Sequence, residues 1–181
     1  MERMAGLQQG GRSRVETHPL KTLTIDRSAV VDGPYRYLLS RTWWRYHGTW
    51  RMTYVMLNPS VADAQIDDQT IRQCMFFAYR AGAGGMDVVN LYSLISTDPK
   101  ALEQHVDPVG PKTHAYWEKP LRHAGLVVAA WGSHKMATDD RVRDLLNHAR
   151  RPLFCLGTTK DGAPRHPSRM AHTTQMMDWH A

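Results

Sequence analysis

Five side chains in this 181-residue chain have types and settings that suit chemistry: Asn58, Asp67, Asp68, Asn90 and His166. Asn58 stands in Leu57-Asn58-Pro59-Ser60, where an apolar run from Thr53 to Leu57 stops on a rigid corner. The carboxylates Asp67 and Asp68 follow closely. Either can cap the next helix, or supply a base that the Asn58 amide cannot. Asn90 breaks an apolar strand, either as a satisfied core amide or as a polar group facing a ligand. His166 sits in Pro164-Arg165-His166-Pro167-Ser168-Arg169, between two arginines that a phosphate would satisfy. The plainer reading of Asn58-Pro59 is a strand-terminating turn, a position both residue types favour.

The elements that must carry these groups are legible in outline. Residues 1–32 mix Gly, Gln, Arg and Ser with little periodicity, which predicts a flexible leader before a single domain over 33–181. The runs at 35–44 and 49–57 are aromatic and β-branched and flank Arg45-Tyr46-His47-Gly48, the pattern of an antiparallel pair feeding the Asn-Pro corner. Apolar residues at 71, 74, 75 and 78 predict a helix over 68–82, capped by Asp67 or Asp68 and closed by Gly82. Short apolar strands are expected at 86–94, 125–132 and 152–157, with helices at about 110–123 and at 139–150. Strands alternating with helices imply a mainly parallel sheet inside a three-layer α/β/α sandwich, with an added antiparallel strand near the N-terminus. In such sheets ligands bind beyond the carboxyl ends of the strands. Four of the predicted strands end notably: at Asn58-Pro59-Ser60, at Asn90 with Tyr92-Ser93, at Trp131-Gly132-Ser133-His134, and in the loop 157–170. Trp131 reads as core and His134 as an exposed loop residue.

Composition narrows the classes. The formal charge of +6 is uneven: residues 112–181 carry eleven basic and six acidic side chains, against seven of each over 33–111. A basic final third suits phosphates and nucleic acid, or is simply a solvated surface. Two cysteines, Cys74 and Cys155, both in apolar surroundings, read as core thiols of a reducing compartment and exclude a four-cysteine metal site. No apolar run of eighteen residues and no signal-type leader is present, so a cytoplasmic protein is expected.

Taken in order, Leu57-Asn58-Pro59-Ser60, Val88-Val89-Asn90-Leu91, Ala130-Trp131-Gly132-Ser133-His134 and His166-Pro167-Ser168-Arg169-Met170 resemble the uracil-DNA glycosylase superfamily over about 53–172. The same residues, with Asp67-Asp68 and Thr70, are similar to a family known as domain of unknown function 1643 over about 35–170. The first resemblance implies a uracil-DNA glycosylase-like fold and metal-free, cofactor-free hydrolysis of the N-glycosidic bond of a uracil-type, thymine-type or modified base flipped out of DNA. It implies that Asn58 holds the attacking water, that His166 donates toward the base carbonyl and that Asn90 reads the base edge. Ser60 stands where the uracil-specific branch has a Tyr, so a pocket admitting larger bases is expected. The base-stacking aromatic is expected from Phe76, Phe77 or Tyr92. Met170 would fill the gap left by the extruded base, with Arg165, Ser168 and Arg169 on the flanking phosphates. DNA is the expected partner and the protein a monomer. The rival readings are a base-modifying or nucleotide-processing enzyme on the same scaffold, and a DNA-binding module without catalysis.

Overall fold

The structure is a computed structural model that describes residues 23–43 and 48–180. Seven strands form one sheet: β1 (Asp26–Asp32), β2 (Tyr35–Thr42), β3 (Arg51–Met56), β4 (Gly85–Asn90), β5 (Leu126–Ala129), β6 (Leu153–Cys155) and β7 (Met177–Trp179). Four α-helices join them: α1 (Gln69–Arg80), α2 (Pro99–Gln104), α3 (Thr113–His123) and α4 (Asp139–Ala149). Strand order is β1-β2-β4-β3-β5-β6-β7. The inner four strands are mutually parallel, and β1, β2 and β7 run antiparallel to their neighbours.

Both faces of the parallel strands are covered, which is why they are apolar without alternation. Tyr54, Val88 and Val128 pack against Ile71, Cys74 and Met75 of α1. Val55, Val89 and Val127 pack on the opposite face against Trp117 and Leu121 of α3 and Leu145 of α4. The result is the three-layer sandwich predicted from the strand and helix order. Cys74 and Cys155 are free and buried.

Besides helix α2 and strand β7, which it did not include, three features differ from the sequence reading. Residues 26–32, assigned there to the leader, form edge strand β1; the leader up to residue 22, and most of the 45–48 link, lie outside the described residues. The runs carrying β2 and β3 do not pair with each other, because β4 inserts between them. The third is a bulge in β2. Val30 pairs with Leu38 but Val31 pairs with Arg36, so Tyr37 has no opposite number. Leu38 packs on the α3 side, and Tyr37 stacks on Tyr116 of α3 with ring centres 5.3 Å apart. Two consecutive residues thus face the same layer, and Arg36 is turned to the α1 side. Arg36 and Arg41, five residues apart, consequently point to the same face. Both hold the 59–68 loop: Arg36 Nη1 donates to the Ala62 carbonyl, and Arg41 Nη2 to the Asp63 carbonyl at 2.7 Å.

Candidate active site

The chain leaves β3 toward α1 on one face and leaves β5 toward α4 on the other, so a crevice opens beyond the ends of these adjacent strands. A cavity of about 300 Å³ occupies it, at the low end for small-ligand sites. Larger hollows lie beside α3, about 550 Å³ against β2 and β4 and about 880 Å³ toward α4, but the strand-end residues gather in the small one.

Asn58 enters that cavity in a fixed orientation. Its Nδ2 donates to the carbonyls of Ser96 at 2.8 Å and Pro59 at 3.0 Å, while the Ser96 N–H donates back to the Pro59 carbonyl at 3.0 Å. Only the amide nitrogen can donate to two carbonyls, so the amide cannot flip, and Oδ1 is left as an acceptor. The abrupt Asn-Pro stop therefore has a local cause: the corner is latched to the chain that follows β4.

His166 comes from the loop that follows β6 and packs against α1. The Gly132 N–H donates to the Pro164 carbonyl at 2.9 Å, which ties the end of β5 to the His166 loop. Gln69 and Gln73, one turn apart on α1, donate to the carbonyls of Ser168 and Met170. His166 Nδ1 accepts from the Ser168 N–H and lies 3.0 Å from the Ser168 hydroxyl. That pairing puts the neutral ring's proton on Nε2. Crowding around the ring lowers the His166 pKa, and the Asp68 carboxylate opposes the shift.

The two neighbouring carboxylates diverge. Asp68 is the N-cap of α1, its Oδ1 accepting from the Ile71 N–H at 2.8 Å, and it also lines the cavity. Asp67 is turned away. It accepts from Arg41 Nε at 2.6 Å and pairs with Arg27, a structural ion pair beneath the loop.

Ser60 lines the cavity, as does Trp131, which is buried and held edge-to-face by Trp179 at 4.9 Å. Phe77 and Tyr92 do not. Phe77 is fully buried on α1, and Tyr92 belongs to the α3/α4 side, its hydroxyl donating to the Met136 carbonyl. Phe76 stacks on His172. Asn90 pairs in register with Met56, a lining residue, but is itself fully enclosed; neither of its amide atoms finds a partner among the described residues. Met170 is half-buried beside α1, Arg165 donates to the Thr158 carbonyl, and Arg169 is exposed.

The sequence reading missed Arg36, Ser96 and Thr97 as lining residues. Among the described residues no group of three or more His, Cys, Asp or Glu side chains is placed to hold a metal ion, and no helix is long and apolar enough to cross a membrane.

Fold and site define an α/β/α protein with a small polar cavity at the strand-order switch point. A family model described as "Protein of unknown function (DUF1643)" matches residues 36–168, from the arginine of the bulge to the serine after His166-Pro167. The chain belongs to that family. No curated protein and no solved structure matches it.

Proposed function

We propose that the chain hydrolyses the N-glycosidic bond of a base flipped out of DNA. The observation that carries this reading is the latched Asn58 amide, which lines a cavity of about 300 Å³ together with His166 and Asp68 and keeps Oδ1 as an acceptor. Oδ1 accepts a hydrogen bond from water and orients it, and the Asp68 carboxylate supplies the basicity an amide lacks. The C1′–N bond breaks with its electron pair on the base nitrogen. The water oxygen bonds to C1′, and the proton it sheds passes by way of Asp68 to that nitrogen. The products are a free base and an abasic sugar. His166 Nε2–H donates toward a base carbonyl and Trp131 stacks on the ring, while Asn90, enclosed beside Met56, stays out of contact with the base.

The test is a panel of oligonucleotides carrying uracil, mismatched thymine, hypoxanthine or 5-substituted pyrimidines, followed by detection of abasic sites. Cleavable product on any member supports the reading; intact DNA throughout, with binding retained, favours a module without catalysis.

Two substitutions probe the details. Ser60→Tyr is expected to reduce action on 5-substituted pyrimidines selectively, because apolar fit alone separates one methyl by about 1–3 kcal/mol and a tyrosine removes far more room than that. Equal loss on all substrates counts against this placement. Met170→Ala is expected to slow paired substrates more than single-stranded ones, since only a duplex leaves a gap to fill, at an unstacking cost of a few kcal/mol. Parallel rates on both would remove Met170 from the DNA-contacting surface.

A further inference from the structure

Arg36 is the charged lining side chain that the reaction above leaves unused. Its residue is 3% exposed, and the bulge in β2 is what brings it to the cavity side. Among the described residues its guanidinium makes one hydrogen bond, Nη1 to the Ala62 carbonyl, while the buried Nε has no partner. Leaving such a donor unmet is costly, so a ligand that completes it is strongly favoured. Propping the loop engages only Nη1, at Ala62, and Arg41 holds the same loop at Asp63, Ile66 and Asp67, so the rest of the Arg36 guanidinium is left over. Asp68 shares the cavity and attracts Arg36, yet no ion pair joins them. Burial lowers the Arg36 pKa to about 10, which leaves the group charged at neutral pH.

We propose that Arg36 binds the carbonyl edge of the base and stabilises the negative charge that gathers there as the glycosidic bond breaks, which restricts the cavity to oxo-bases able to leave as anions. The assignment rests on the glycosylase reading and names its substrate class. Heterolysis leaves the bond pair on the base nitrogen, and an oxo-base spreads it onto its carbonyl oxygens, where a fixed cation in a sheltered site acts strongly. Nη2, neither bonded nor fully buried, offers its N–H groups to a carbonyl acceptor, with Nε sheltered behind it. Adenine and cytosine gain little, because an amino-base departs more readily after protonation, and a fixed cation opposes that form. The Asp68 carboxylate repels an anion, but it sits at the start of α1, where the helix dipole and the Ile71 N–H draw on its charge.

Barbiturate, a planar oxo-pyrimidine that is a monoanion at neutral pH, imitates the departing base; uracil is its neutral counterpart. Calorimetric titration of the wild-type chain is expected to give a Kd for barbiturate at least about tenfold below that for uracil, with cytosine weaker than either. Arg36→Gln should erase the preference, and Arg36→Lys, which keeps the charge but loses the fork, should retain part of it. Equal binding of barbiturate and uracil overturns the proposal, as does an unchanged preference in either variant or no binding of any probe. Inorganic phosphate displacing barbiturate at similar concentration also overturns it, because the site would then be a general oxyanion site. Should Arg36→Gln fail to fold, the wild-type ratio and the Lys variant decide. The readout is binding, so the two readings separate: barbiturate preference without base release removes the glycosylase reading alone, and base release without the preference removes the role of Arg36 alone.

Discussion

Asp67→Ala is expected to lower the free energy of unfolding by about 3–5 kcal/mol, the cost of leaving a buried charge without its partner. The Arg41 side chain is 0% exposed, and Asp67 is the only carboxylate paired with it among the described residues. The neighbouring Asp68→Asn should change stability by less than about 1 kcal/mol, because Asn and Asp are comparable N-caps. The second bond of Asp67, to Arg27, adds little, since that arginine is about one-third exposed. Urea unfolding of the two variants, with unchanged slopes, checks the contrast. Similar losses for both would mean that the ion pair is not what anchors the loop. In base release the order reverses: Asp68→Asn removes the carboxylate from the cavity while the fold stands.

Asn58→Ala should cut base release by at least about 10²-fold while DNA affinity stays within a few-fold, because the misplaced group is the attacking water and not the DNA backbone. Measuring both quantities on one oligonucleotide separates an enzyme from a binding module. Undiminished base release would remove Asn58 from the reaction. Asn58→Asp is not a gain. A carboxylate cannot donate to the Ser96 and Pro59 carbonyls that now hold the amide, and the unlatched corner should cost about 1–3 kcal/mol. The amide is thus matched to its position although it is the weaker base.

Much of this arrangement was legible in the sequence, for identifiable reasons. The parallel strands show as apolar runs because both faces are covered, and each ends on a polar punctuation that folding carries to one edge. That brought Asn58, Ser60, Asp68 and His166 to a single cavity across more than a hundred residues of chain. The choice between Asp67 and Asp68 was not legible, because the decision is made by Arg41 on a strand that is distant in sequence. Arg36 escaped notice because a bulge inverts the two-residue period on which strand reading depends. Phe77 and Tyr92 matched in type but not in direction, one fully buried on α1 away from the cavity and the other on the opposite face of the sheet. Strand β1 was hidden because its exposed polar residues resemble a linker, and β7 because it has only three residues.

The bridging of the His166 loop by Gln69 and Gln73 has a consequence for when the protein becomes competent. Arg36 and Asn58 are made early, but the histidine that faces them leaves the ribosome 130 residues after the arginine. At translation rates of about 5–20 residues per second, that interval is on the order of ten seconds. During it the α1 glutamines have no carbonyls to hold and the cavity lacks one wall. A nascent chain can therefore build most of its sheet before this cavity is enclosed, and the site is complete only when the last loop docks.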